Sequence, residues 1–443
     1  MNKDLTVGNI RKVLWLYSLP LLGSVIFQQL YNVADSLVAG NFIGANALAA
    51  VGNASEITFI YTAFAVGCNI GCSVVVSQLF GAKRYKELKT AITTAFIAFG
   101  ILCISLMVCG FLFTKPLLHG MHTPDEIFAD SYLYLEIYTL GMPFVFFYNI
   151  ATGIFSAMGD SKTPLYYLIF SSVSNIIVNV LFVKEVGMGV EGLALATLLC
   201  QGISCILSMG TLLKRLKTIQ IEGKAPLFSK SLLLKTIRIA VPSILQQSFI
   251  SVGNILIQGV VNGFGPSVIA GFTASIKLNT IATSCFMAIA NGLSTFTAQN
   301  IGAKKIERVQ RGHKEGLLLG ELMSAILIFL FVGMGSTMVG FFMSENDTQA
   351  LAAGIQFLRI VAPFYLAISV KIITDGVLRG SGAVHLFMIS TFADLFIRII
   401  LAMILPNYLG VMGIWSSWPI GWFIGMLLAV GMYIQGGWKK ASI

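Results

Sequence analysis

About twelve stretches of roughly 20 or more predominantly apolar residues run through this chain, each bracketed by charges or turn residues. That pattern leaves little choice of architecture. A backbone in hydrocarbon must satisfy its own N–H and C=O groups, and a segment of about 20 residues does so as a helix crossing about 30 Å. The stretches fall near 13–39, 49–79, 91–113, 129–157, 164–184, 190–213, 236–260, 267–300, 315–341, 350–378, 385–405 and 411–435. Of 443 residues 56% are hydrophobic and 11% charged, whereas soluble domains carry about a quarter charged residues. The expected fold is an all-α polytopic membrane protein with twelve transmembrane helices.

A net charge of +10 would suit a nucleic-acid partner, but the placement of the cations argues otherwise. Lys and Arg gather at the N-terminus (Lys3, Arg11, Lys12), in GAKRYKELK at 81–89, between the halves at 214–238, at 304–314 and at Lys439 and Lys440. With Lys162 and Arg379, 23 of the 29 fall on alternate connections, all on one side. The opposite connections hold only Lys115 and Lys184 beside six acids. The excess of cations marks the cytoplasmic face, so both termini are expected in the cytoplasm and the protein in the plasma membrane. The basic balance then reports topology and contact with anionic lipid; no nucleic acid is expected.

The seven cysteines (68, 72, 103, 109, 200, 205, 285) all fall within the apolar stretches and at no metal-like spacing, which suits small apolar fillers. The four histidines lie in or near connections, so neither haem nor an intramembrane zinc site is expected, and no cofactor apart from a transported Na⁺ or H⁺. The first apolar stretch is longer than a signal-peptide core and no small-residue cleavage site clearly ends it.

Sliding the sequence against itself by half its length aligns QLFGAKR (78–84) with QNIGAKK (299–305). The same shift places Asn41 on Asn262, Gly44 on Gly265, Ala49 on Ala270, Gly71 on Gly292 and Ser73 on Ser294. Slightly different shifts bring GIFSAMGDSK (153–162) onto GVLRGSGAVH (376–385) and NIIVN (175–179) onto DLFIR (394–398). The chain reads as a tandem duplication of six spans: an N-terminal six-helix bundle over 1–213, a basic linker over 214–235 and a C-terminal bundle over 236–443. Six is even, so the copies share one orientation and are related by a pseudo-twofold along the membrane normal, with a seam where a solute could be held.

Within YNVADSLVAG (31–40) stands Asp35, near the end of the first span. An ionised carboxylate at the centre of a membrane helix costs about 2.5–3.5 kcal/mol on insertion scales, so it needs a partner or a proton. Asn175 and Asn179 sit one turn apart on the fifth span, and Thr197 lies on the sixth. A carboxylate, two amide oxygens and a hydroxyl are hard ligands of the kind a small cation prefers. The same residues suit a protonated Asp35 donating to an amide, or a structural acid hydrogen-bonded for helix association.

The stretch YNVADSLVAGNFIGANALAAVG (31–52), its echo in the second half, the GVLRGSG turn at 376–382 and the NxxxN of the fifth span resemble the MATE family of multidrug and toxic-compound extrusion transporters. The resemblance covers nearly the whole chain, including its 6 + 6 duplication. It implies a V-shaped pair of six-helix bundles exchanging Na⁺ or H⁺ for an organic, often cationic, solute. It also implies that the N-terminal bundle holds the cation on Asp35, Asn175, Asn179 and Thr197. Some branches of the family carry Asp where Asn179 stands, and some carry a seventh-span Glu where this chain has only Gln246 and Gln247. The N-terminal site is therefore favoured over a route through the second half.

Other intramembrane charges invite structural explanations. Asp394 and Arg398, at i and i+4 on the eleventh span, are expected to neutralise one another. Lys371 and Asp375 share that spacing on the tenth span and suit either a structural pair or a gate. Glu56 and Lys277 occupy equivalent positions in the two halves, where opposite signs suit an outer latch and, equally, snorkelling to the interface. Pro20 removes one backbone hydrogen bond from the helix that carries Asp35 and lets it bend.

The expected function is a cation-coupled (H⁺ or Na⁺) antiporter, exporting organic, cationic or amphipathic compounds by alternating access, as a monomer in contact with membrane lipid and without enzymatic activity. The alternative is a flippase for a lipid-linked precursor, which calls for more cations lining its cavity than this chain offers. An embedded enzyme would need an intramembrane dyad with a nucleophile or metal, and the sequence offers none.

Overall fold

The computed structural model describes residues 3–38, 43–342 and 347–439, with the side chains of all of these except 30–38, 45, 48 and 56. The described chain is almost entirely helical. Its helices are α1 (Ile10–Val38), α2 (Ala45–Gly81), α3 (Tyr85–Gly120), α4 (Asp125–Ala157), α5 (Lys162–Val180), α6 (Val190–Thr218), α7 (Lys230–Asn262) and α8 (Pro266–Gly302). They continue with α9 (Ile306–Gly333), the short α10 (Gly335–Gly340), α11 (Thr348–Val361), α12 (Tyr365–Ser381), α13 (Val384–Ile404), the short α14 (Pro406–Leu409) and α15 (Val411–Gln435). Among the described residues, twelve spans are long and apolar enough to cross a membrane, α11 and α12 forming one of them around a 3₁₀ turn at Ala362–Phe364. The protein is an integral membrane protein.

The helices outrun the apolar stretches. The ninth stretch, expected over 315–341, is a helix from Ile306 that breaks at Gly333 and resumes as α10. Its first residues, IERVQRGHK, are mostly polar and include Glu, Gln, Lys and two Arg, which favour a helix, so the helix continues past the apolar stretch. The connection between the halves, expected over 214–235, is free of helix only over 219–229, because α6 runs to Thr218 and α7 starts at Lys230.

The duplication is visible in backbone conformation. Lys83 and Lys304, equivalent in GAKR and GAKK, both lie in the left-handed region (φ 57° and 60°). The glycines before α2 and α8, Gly44 and Gly265, both have positive φ (122° and 93°), which a side chain rarely adopts.

By internal contacts the chain divides into two compact units, Met1–Asp4 with Gly23–Ile244, and Leu5–Leu22 with Leu245–Ile443. The division cuts α1 two residues after Pro20 and α7 two residues after Pro242, so each of these helices contributes to both units. The units thus differ from the contiguous halves of the repeat by 5–22 and 236–244. A pair of equivalent glycines permits this exchange. In the N-terminal unit a Cβ on Gly71 would meet Thr236 O at 2.8 Å and Ala240 Cβ at 2.7 Å; in the C-terminal unit one on Gly292 would meet Ser18 Oγ at 2.5 Å. Without hydrophobic drive between helices in lipid, such close approach is what holds them together.

In the N-terminal unit α4 packs between α2 and α6, with α3 beside it and α5 on α6. In the C-terminal unit α12 is enclosed by α8, α9, α13 and α15, over an aromatic core of Phe272, Phe357, Trp415 and Trp418 whose ring centroids lie 5.3–5.9 Å apart. Residues 5–9 belong to this unit through a strap of hydrogen bonds. Arg308 donates to the carbonyls of Leu5, Val7 and Gly8, Lys305 to that of Thr6, and Leu5 N–H to Gln299 Oε1.

Candidate functional site

The fifth span places two amides on one face because Asn175 and Asn179 are four residues apart on α5. Asn179 Nδ2 donates to Asn175 Oδ1 at 2.8 Å, and Asn175 Nδ2 donates to Thr197 Oγ1 of α6 at 3.3 Å. The two amides are buried, at 0% and 2% exposure, and Thr197 is half-buried. Three of the four residues expected from the sequence therefore form one hydrogen-bonded array, from Asn179 through Asn175 to Thr197. Just beyond Asn179 the helix widens into a π turn over Leu181–Glu185, a departure often found beside functional sites. Asp35 belongs to α1 and to the same unit as the array; its side chain lies outside those described.

Chemically the array is a buried, oxygen-rich cluster inside the N-terminal unit. Each amide carries an acceptor and two donors, and the hydroxyl can serve as either. Such groups turn oxygens toward a cation or N–H groups toward a carboxylate by rotating a side chain, without moving a helix.

Of the secondary candidates, Pro20 lies inside α1. Glu56 has a side chain outside those described. Lys277 is exposed, with its ammonium 5.6 Å from the centroid of the Phe342 ring. Lys371 and Asp375 do pair, Nζ to Oδ2 at 3.3 Å. The expected Asp394–Arg398 pair is not present: Asp394 Oδ2 lies 3.5 Å from Lys371 Nζ, and Arg398 stacks 5.6 Å over the Trp418 ring. Spacing of i, i+4 permits a pair but does not compel one when another helix offers a cation. Ser390, one turn before Asp394, was missed by the sequence reading; it donates to Asp375 at 2.6 Å.

Other expectations find their place. Six cysteines are buried and Cys109 is exposed; all are free thiols. His313, expected in or near a connection, lies inside α9 and is 6% exposed, with Nε2 3.0 Å from Thr374 Oγ1. Between α4 and α5, Asp160 caps the start of α5 by accepting the N–H groups of Lys162 and Thr163, and the Arg215 guanidinium from the end of α6 binds its other oxygen.

The MatE family model matches residues 20–181 and again 242–404, one match in each half. The chain is 30% identical over 441 residues to the probable multidrug resistance protein YpnP of Bacillus subtilis (strain 168), covering 99% of this chain and 98% of that protein. It is 29% identical to the probable multidrug resistance protein YoeA of the same organism, covering 97% and 94%. Among solved structures, the outward-facing conformation of a multidrug resistance MATE family transporter of the MOP superfamily superposes with a TM-score of 0.92 at 21% identity, covering 99% of both chains. With a double match to the family model and relatives aligned from end to end, this chain belongs to the MatE family of membrane transporters.

Proposed function

We propose that this protein is a multidrug exporter that exchanges H⁺ or Na⁺ for organic, cationic or amphipathic compounds by alternating access. The observation that carries the reading is the buried Asn179–Asn175–Thr197 array, set in the same unit as Asp35. Asp35 binds the entering cation, the two amides and the hydroxyl complete its shell, and occupation displaces the solute. Pro20 gives α1 the freedom to bend as Asp35 changes charge. Two relatives aligned over almost their whole length are named as probable multidrug resistance proteins, which supports the substrate class. The protein works as a monomer in the plasma membrane with both termini cytoplasmic, in keeping with its cations on alternate connections. The energy scale suffices: one charge crossing 100 mV releases about 2.3 kcal/mol before any concentration gradient is added.

The test is Asp35→Asn, with efflux of a fluorescent organic cation from cells and the melting temperature of the purified protein measured together. Loss of efflux from a normally folded variant is expected. Wild-type efflux in that variant would refute the assignment.

A further inference from the structure

We propose that the C-terminal unit binds the phosphate-bearing headgroup of an anionic phospholipid where α1 and α9 begin. Two adjoining cavities, of about 540 and 440 Å³, lie where the first turn of α1 meets the start of α9. Arg308 and Arg311 line both of them. Arg11 and Lys314 complete the first, and Lys304 and Lys305 the second. Six cations thus stand over two acids, Glu315 in the first cavity and Glu307 in the second.

Some of these cations build the walls and others are left for a ligand. Arg308 and Lys305 donate to the carbonyls of residues 5–8, and Arg11 Nε donates to Glu315 Oε2 at 2.7 Å. Those bonds fix the N-terminal segment against α9. Arg311 and Lys314 are exposed and make no hydrogen bond or ion pair among the described residues. A guanidinium fork matches two phosphate oxygens at once, and an ammonium adds a point charge beside it.

Membrane topology places cations at this end of both halves, so the first copy of the repeat serves as a control. A shift of 221 residues brings Lys86 and Lys89 of α3 onto Glu307 and Gln310. Arg308, Arg311 and Lys314 stand instead where the first copy has Glu87, Thr90 and Thr93. One residue is about 100° around a helix, so the second copy turns its cations onto a different face of the helix. That face lines the two cavities. The contact equivalent to Arg11 with Glu315 is neutral in the first copy, where Ser229 N–H donates to Thr94 Oγ1.

The surface next to the cations is apolar, which points to a lipid and not to a soluble anion. On α9 Leu318, Leu322 and Ile326 follow Lys314 at intervals of four, and on α1 Leu16 and Leu19 follow Lys12; all five are exposed. Between the two helices Trp15 donates its Nε1–H to the Glu315 carbonyl at 3.3 Å and lies 5.8 Å from the Arg11 guanidinium. Trp gathers at the level of lipid headgroups. A phospholipid uses the charged cavities and the apolar stripes together, with its phosphate on Arg311 and Lys314 and its chains along the leucines.

Native mass spectrometry of the purified full chain, with phosphatidylglycerol, phosphatidylcholine or inorganic phosphate added, tests this. Phosphatidylglycerol should be retained in preference to phosphatidylcholine. Arg311→Gln with Lys314→Gln should weaken that retention about 30-fold, about fivefold for each cation. Lys86→Gln with Lys89→Gln, in the first copy, should leave it unchanged. Should the first double variant fail to fold, each single substitution must show its own loss. Equal retention of the two lipids, or retention of phosphatidylglycerol indifferent to residues 311 and 314, overturns the proposal. Inorganic phosphate that displaces the lipid at equal concentration would make this a site for soluble anions and overturn it too. The measurement needs no transport, so it stands apart from the export reading; the placing of the termini in the cytoplasm decides only which leaflet supplies the lipid.

Discussion

Asn179→Leu separates a cation ligand from a packing residue. The side chain is fully buried, and its Nδ2 donates one good hydrogen bond, 2.8 Å, to Asn175 Oδ1. Leu shares the branch at Cγ but is larger, so the change removes polarity without leaving a void and adds an overpacking cost of about 1–3 kcal/mol. The bond lies within α5, and a side-chain hydrogen bond contributes about 0.5–1.5 kcal/mol net. Asn175 keeps its bond to Thr197. The expected stability loss is thus about 2–4 kcal/mol, within a typical total of about 5–15 kcal/mol, and the variant should fold and purify. A polar group that touches an ionised partner contributes more, about 1.5–3 kcal/mol, so cation occupancy should weaken about ten- to hundredfold. The assay is gradient-driven transport in proteoliposomes, measured beside the melting temperature. Transport within a factor of two of wild type, in a folded variant, would show that the array only holds helices together. Asn179→Asp makes a companion: a carboxylate there faces the acceptor Asn175 Oδ1, so the Asn175 amide must turn over, take its Nδ2 from Thr197 and give it to residue 179.

Gly71→Val drives a side chain against Thr236 O and Ala240 and should destabilise the purified protein by about 1–3 kcal/mol, whereas Gly210→Ala, inside α6 with nothing within 4 Å, should not lower its melting temperature and should raise it slightly. Asp160 sits outside the spans; burial pushes its pKa up, but the Thr163 hydroxyl and N–H and the Arg215 guanidinium outweigh burial and hold it below the usual carboxylate range. A lowered folded-state pKa means that its contribution is present above the ordinary pKa of about 3.9 and fades as pH falls through the depressed value. Arg215→Met should reduce that contribution, seen as a smaller difference in melting temperature between neutral and acid pH than in the wild type. Arg308→Met removes donors to the carbonyls of Leu5, Val7 and Gly8 and should speed proteolysis of the N-terminal segment in the purified protein.

Much of this fold was legible because its main determinant is one-dimensional. Apolar stretches bounded by charge identify spans, and a shift of half the length brings GAKR onto GAKK, whose lysines share the same unusual backbone. The NxxxN spacing foretold the contact of Asn175 with Asn179, since a helix imposes it. What the sequence hid is partnership between helices. Gly71 and Gly292 stood out as a repeat match, but only three dimensions show that each receives the first helix of the opposite half. Asp394 was assigned to Arg398 on its own helix, yet the cation that reaches it comes from α12 through a face of α15 cleared by Gly421 and Gly425. Helix ends were misplaced for a related reason: hydropathy reports where lipid stops, whereas α9 continues on polar residues beyond it.

Coupled export is tested most directly by solute movement against its own gradient. Purified protein in vesicles loaded with a fluorescent organic cation at equal concentration on both sides should concentrate it when a pH or Na⁺ gradient is imposed, and Asp35→Asn should not. Equal concentrations that stay equal under both gradients, in vesicles shown to be sealed, would contradict it.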